Sequence, residues 1–130
     1  MIVVDTNIFL AVLLEEPERE PVIRLTSGQE IIAPDVLPYE IGNALSALVK
    51  KGRITGSEAE TVWSYSRQIP VQLKPVDIGA ALSLAVQAGI YAYDAYFIHT
   101  AISYRAPLLT LDRGMMRVAR EANIEVLEVS

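Results

Sequence analysis

The sequence predicts an α/β protein: a mostly parallel central sheet of about five strands with helices on both faces. Three observations carry that expectation. Short apolar runs alternate along the chain with segments of helical period. Those helical segments are long enough to serve as the crossovers that parallel strands require. The length of 130 residues, 52% of them hydrophobic, suits one domain around one buried core, so residues 1–130 read as a single domain.

The elements follow in order. Ile2–Val4 is an apolar run suited to a buried strand, and Asp5-Thr6-Asn7 behind it are good capping residues for a helix over 8–14. A second helix is expected over 18–26, stopped at Gly28, and a strand over 30–33, closed by Pro34. From 35 to 51, Val36, Leu37, Ile41, Ala44, Leu45 and Leu48 recur at helical spacing, with Gly52 where a C-terminal cap belongs. Ser57 to Glu60 fits an SxxE capping box and predicts a helix running towards Ile69, before Pro70. A strand over 71–74 comes next. A helix over 77–88 places Ile78, Ala81, Leu82 and Ala85 on one stripe and ends at Gly89. Asp94 is expected to open a helix ending near Arg105. Then come a strand over 108–111, a helix started by Asp112 with Met115, Val118, Ala119 and Ala122 on one face, and a strand over 124–129.

Composition removes several function classes. With no cysteine, disulfide frameworks, thiolate zinc sites and cysteine nucleophiles are excluded. His99 is the only histidine, which rules out HExxH zinc sites, and no GxSxG elbow supports it as the base of a triad. It reads as a packing residue. The N-terminus lacks a basic n-region and reaches Asp5 before an export signal could form, so a cytoplasmic protein is expected. The longest uncharged stretch, 78–93, is too short for a membrane span. There is no P-loop or dinucleotide fingerprint, hence no expected nucleotide cofactor. A net charge of −5 argues against binding nucleic acid by broad phosphate neutralisation, although bound divalent ions would bring that balance closer to neutral.

The acids are the informative residues. In open parallel sheets the ligand site forms beyond the carboxyl ends of the strands, and Asp5 and Asp112 each follow a predicted strand end. Each is also placed to cap a helix, the plainer explanation. Glu40 has Leu37 and Ala44 as neighbours on its helix, and Asp94 has Phe97, Ile98 and Ala101, so both sit on inward stripes where a charge needs a partner. That need is met by an ion pair with a lysine or arginine, by a reach past the sheet edge to water, or, if all four acids converge on one edge of the sheet, by something they share. Carboxylates about 4 Å apart repel by roughly 4 kcal/mol at an effective dielectric of about 20. A hard divalent cation such as Mg²⁺ or Mn²⁺, which prefers oxygen ligands, reverses that sign and gives such a cluster a reason.

These residues resemble a known family. Val4-Asp5-Thr6-Asn7 at the first strand end, Tyr39-Glu40 with Ala44-Leu45 in the long helix, Tyr93-Asp94-Ala95 in a later one and Thr110-Leu111-Asp112 at a late strand end are similar to PIN domains. Within them the likeness is to VapC-type toxins of toxin–antitoxin pairs. It extends over nearly the whole chain. The resemblance implies a PIN-like fold and a metal-dependent endoribonuclease in which Asp5, Glu40, Asp94 and Asp112 are the metal-binding catalytic acids. Mg²⁺, with Mn²⁺ as the alternative, is the implied cofactor. Asn7 and Thr110 are implied supporting polar groups, and a cognate VapB-like antitoxin and a homodimer are implied partners. Many members carry a further acid where this chain has Arg113-Gly114-Met115, which leaves the number of ions open.

Candidate RNA contacts are Lys50, Lys51 and Arg53 after the long helix, and Arg113, Arg117 and Arg120, which share a face of the late one. Trp63, Tyr65 and Ile69 are expected to pack internally or at a subunit interface, with stacking on bases the lesser alternative. Among rival readings, a metal-dependent phosphatase of the haloacid-dehalogenase type wants an acid where Asn7 stands. A receiver-like signalling module wants an acceptor Asp at the end of the third strand, which here ends at Lys74. A PIN fold kept only for binding or scaffolding is the remaining alternative.

Overall fold

The structure, a computed structural model, describes residues 1–129. Ile2, Val3 and Val4, all but fully buried, form β1 (Ile2–Val4), which pairs with β2 (Ile31–Pro34) on one side and β4 (Leu108–Leu109) on the other. β3 (Gln72–Lys74) pairs with β2, and β5 (Val126–Leu127) with β4. The sheet order is therefore β3-β2-β1-β4-β5, and every pairing is parallel. From β1 the chain winds outwards through β2 to β3, then crosses back to β4 and winds the other way. Right-handed crossovers on a sheet whose direction reverses put the two sets of helices on opposite faces. One set is α1 (Thr6–Leu13), α2 (Arg19–Thr26), α3 (Leu37–Lys50) and α4 (Gly56–Ser66). The other is α5 (Ile78–Ala88), α6 (Ala92–Tyr104) and α7 (Arg113–Glu121).

The reversal point lies between β1 and β4, where an open sheet leaves a crevice beyond its carboxyl ends. The core beneath is continuous: Val3, Ile32, Leu108 and Leu109 from the strands meet Ile8, Leu37, Phe97, Ile98 and Met115 from the helices. Among the described residues no helix is long and apolar enough to cross a membrane. Ile69 packs against the core as expected, while Tyr65 stays exposed and Trp63 carries the Arg67 guanidinium 5.5 Å from its ring centroid.

Several expected boundaries move, each for a local reason. The capping box belongs to Thr55 and Glu58, not Ser57 and Glu60, so α4 starts earlier. With Thr55 as the cap, Ile54 before it and Ala59 in the first turn both reach the core, the arrangement of a hydrophobic staple; a cap at Ser57 would put Gly56 in that place. Pro34 is the last residue of its strand rather than the stop, because its carbonyl side still continues the ladder and Asp35 takes over the donor role to Lys74 O at 2.9 Å. The strands expected over 108–111 and 124–129 shorten to two residues each, as the chain turns into α7 and out again. Ile78 and Leu82 face solvent instead of joining Ala81 and Ala85. The small residues Ala81, Ala85 and Ala95 let α5 approach α6 closely, and that contact fixes which face turns inward.

Candidate functional site

Asp5 follows β1, and its backbone caps α1, yet its side chain makes no cap hydrogen bond. The carboxylate turns instead to β4: Thr110 Oγ1 donates to Asp5 Oδ2 at 2.9 Å, and the same hydroxyl accepts from the Asp112 N–H at 3.0 Å. Thr110 is fully buried and so ties the two strand ends together across the crevice. Asp112 does behave as a cap, its Oδ1 accepting from the Met115 N–H at 2.9 Å. Gly114 leaves room for that carboxylate, since a Cβ there would lie 3.1 Å from Asp112 Oδ1.

Glu40 lies in the first turn of α3, where Thr6 Oγ1 donates to its Oε1 at 3.2 Å. Asp94 lies in the first turn of α6, which begins at Ala92 with Tyr91 as its cap, so the expectation that Asp94 opens the helix is corrected. An acid in a first turn complements the helix dipole, but the inward stripe still takes its carboxylate towards the crevice. Asp5, Glu40 and Asp94 line one cleft of about 250 Å³ together with Thr6, Asn7, Tyr39, Asn43 and Tyr93. Asp112 flanks the cleft without lining it, close enough for its charge to act on Asp5 and Asp94.

The electrostatics follow from burial without a countercharge. The ion pairs among the described residues are Arg19–Glu20, Arg117–Glu121 and Arg120–Glu128, so no cation answers the cleft. Burial lifts the Asp5 carboxyl from 3.8 to about 6, opposed by the Thr110 hydrogen bond and reinforced by the charges of Asp94 and Asp112. Burial likewise lifts Glu40 from 4.5 to about 7, with the Thr6 bond opposing and Asp5 and Asp94 adding. Asp94 is raised by burial and then by Asp112. Among the described residues no three acidic or histidine side chains are close enough to form a ready-made metal cage. Their charges nonetheless act on one another in pairs, and Mg²⁺, which keeps several of its waters and takes one or two carboxylates, does not require three to meet at one point. The donor set fits: hard oxygens, uncompensated negative charge and no competing cation.

Of the expected residues, Asp5, Glu40, Asp94 and Asn7 meet in the cleft, while Thr110 and Asp112 stand behind and beside it. The basic candidates do not join them. Lys50 is ten residues along α3 from Glu40, a rise of about 15 Å, and Lys51 and Arg53 lie beyond it. Arg113, Arg117 and Arg120 line a separate depression, where Arg117 and Arg120 are engaged by Glu121 and Glu128. Thr6 and Asn43 were not anticipated. Asn43 had a signal, lying one turn from Glu40 on the same face; Thr6 had only its place between Asp5 and Asn7. His99 makes a 3.4 Å contact from Nδ1 to Ser103 Oγ on its own helix and does not line the cleft.

Comparison with known proteins shows the family and the fold. The family model described as PIN domain matches residues 2–121. Ribonuclease VapC3 of Pyrobaculum aerophilum is 30% identical over 119 residues, covering 88% of this chain and 91% of that protein. A VapC ribonuclease of Mycobacterium bovis is 26% identical, with 86% of each covered. Among solved structures, a Pyrobaculum aerophilum protein matches with a TM-score of 0.69 at 24% identity, over 90% of this chain and 78% of its own. A chain of Rickettsia felis VapBC2, solved bound to a DNA fragment from its promoter, matches with a TM-score of 0.68 at 17% identity over 98% of both. At those identities the structural likeness speaks for the fold.

Proposed function

This chain belongs to the PIN domain family, and from that premise we propose that it is a metal-dependent endoribonuclease, the toxin of a VapBC-type pair. The observation that carries the reading is the cleft itself: Asp5, Glu40 and Asp94 from three separate elements share it, with Asp112 beside them and, among the described residues, no cation paired with them. The ribonuclease names of the relatives support the same activity.

Asp5, Glu40, Asp94 and Asp112 would hold Mg²⁺ or Mn²⁺, which supplies a water of lowered pKa and neutralises charge on the phosphate oxygens. The chain's own residues prepare for this. Thr110 fixes Asp5 and the Asp112 backbone, and Thr6 fixes Glu40, so the acids are oriented before substrate arrives. Hydrolysis adds a water oxygen to phosphorus and breaks the P–O3′ bond, and the leaving oxygen takes a proton. The products are a 3′-hydroxyl and a 5′-phosphate. The substrate 2′-hydroxyl is not consumed, so preference for RNA belongs to the surroundings of the cleft. The reading carries with it a VapB-like antitoxin, a homodimer and a cytoplasmic place of work, supported by kinship with VapC proteins.

The test is cleavage of a mixed labelled RNA panel by the purified protein in Mg²⁺, Mn²⁺ or EDTA, beside Asp94→Asn prepared identically. Cutting that is lost in EDTA and in the variant is the expected result. Equal cutting by both proteins would assign the activity to a contaminant and defeat the reading.

A further inference from the structure

We propose that Asn43 is a further substrate contact of the ribonuclease: its side-chain amide donates a hydrogen bond to a non-bridging oxygen of the phosphate that is attacked. This rests on the ribonuclease reading and adds to it a residue that orients the phosphate beside the acids.

The cleft is rich in acceptors and short of donors. Asp5, Glu40 and Asp94 only accept hydrogen bonds once ionised, and so does a phosphodiester oxygen. A divalent ion answers part of that conflict, because it neutralises charge on the phosphate. A phosphodiester has two non-bridging oxygens, however, and one that turns towards the protein needs a donor there. Among the described residues no lysine, arginine or histidine lines the cleft. The donor has to be neutral.

Most neutral donors of the lining are committed or turned away. Thr6 Oγ1 is spent on Glu40, and Tyr39 and Tyr93, 79% and 56% exposed, stand at the mouth. Two amides remain, Asn7 and Asn43. Asn7 stands about 100° around α1 from Thr6, the residue that faces Glu40. Asn43 stands only about 60° around α3 from Glu40 itself, and side chains three apart on one face are about 5–6 Å apart at Cβ. An anion drawn to the acids therefore lies within reach of its amide.

Asn43 is also free to act and firmly carried. Its backbone carbonyl accepts from Ser46 Oγ at 2.8 Å, but among the described residues nothing hydrogen-bonds its exposed side chain. The opposite face of α3 is locked into the core through Leu37, Ile41 and Leu45, so the amide sits on a fixed element. The residue type suits the place. A lysine at 43 would pair with Glu40 and compete with the metal, and an aspartate would add a fourth acid to the lining and repel the phosphate. Asparagine donates to the phosphate and leaves the acids to the metal.

The experiment compares Asn43→Ala and Asn43→Asp with wild type by Mn²⁺ titration followed by electron paramagnetic resonance, by Tm, and by steady-state cleavage of whichever RNA of the mixed panel wild type cuts. The position is exposed and within a helix, where alanine favours the fold. Asn43→Asp keeps the shape and the carbonyl oxygen and exchanges only the donor for a charge. The expected result for Asn43→Ala is wild-type Mn²⁺ affinity with kcat/KM lowered roughly 10- to 150-fold, the effect of one hydrogen bond to a charged group. Asn43→Asp should hold Mn²⁺ at least as tightly as wild type and yet lose more kcat/KM than the alanine variant. Wild-type cleavage by either variant would overturn the proposal and leave the ribonuclease reading standing. Weakened Mn²⁺ binding by Asn43→Ala would make the amide oxygen a metal ligand and also overturn it. A wild type that binds Mn²⁺ and cuts no RNA of the panel would instead defeat the ribonuclease reading beneath it.

Discussion

Replacing Asp5 by asparagine isolates the electrostatics of the cleft while nearly preserving its shape. Asp5 is 5% exposed, and its carboxyl is lifted from 3.8 to about 6 by burial, against the Thr110 hydrogen bond and with help from Asp94 and Asp112. At about 1.4 kcal/mol for each tenfold change, that interval makes ionised Asp5 a cost of about 3 kcal/mol to the metal-free fold. The folded value lies above the unfolded one, so the cost is complete above pH about 6 and vanishes as pH falls below about 4. Asparagine carries no charge and keeps an acceptor for Thr110 Oγ1, but its amide N–H groups need partners, which offsets about 1–2 kcal/mol. Metal-free Asp5→Asn should therefore be more stable than wild type by about 1–2 kcal/mol near neutral pH, and should lose that advantage near pH 4. Glu40 adds a dependence of the same sign, lessened because solvent screens its half-buried carboxylate. Urea unfolding in EDTA at the two pH values measures this, and added Mg²⁺ should stabilise wild type more than the variant. A variant less stable at neutral pH, or an advantage independent of pH, would refute the claim that burial without a countercharge raises this carboxyl.

Three further substitutions probe the supports. Thr110→Val keeps the shape but removes the donor to Asp5 and the acceptor of the Asp112 N–H, so the urea midpoint at neutral pH should fall by the equivalent of about 2–4 kcal/mol. Gly114→Ala brings a Cβ against Asp112 Oδ1 while improving helix propensity; calorimetric Mn²⁺ titration should show weaker binding with no fall in Tm. Thr55→Ala removes half of a capping box far along the chain from the acids; Tm should drop by a few degrees, for a loss of about 1 kcal/mol, with cleavage unchanged.

What could be read from the sequence was whatever is local. Asp5 and Asp112 follow apolar runs, and Glu40 and Asp94 interrupt apolar stripes, so periodicity alone places them beyond the sheet or facing inwards. The roles of these acids were harder to read, because cap and ligand look alike in one dimension. Only the structure shows that Asp112 caps while the Asp5 side chain does not. The bond from Thr6 to Glu40 spans 34 positions and leaves no periodic trace. The arginines of α7 looked like free phosphate contacts, yet Arg120 is engaged by Glu128 beyond the helix, a pairing set by how α7 meets β5. The α5 stripe misled because Ile78 and Leu82 are more hydrophobic than the alanines, whereas the closeness of α5 to α6 was decided by size. Overlapping boxes at Thr55 and Ser57 fit the same local rule, and burial of Ile54 chose between them.

Whether acids from separate elements act as one divalent-metal site is tested most directly by Mn²⁺ titration followed by electron paramagnetic resonance. Wild type should bind Mn²⁺, with Mg²⁺ competing. Asp5→Asn, Glu40→Gln and Asp94→Asn, each shown to be folded, should each weaken that binding. Undiminished Mn²⁺ binding in all three variants would contradict the account.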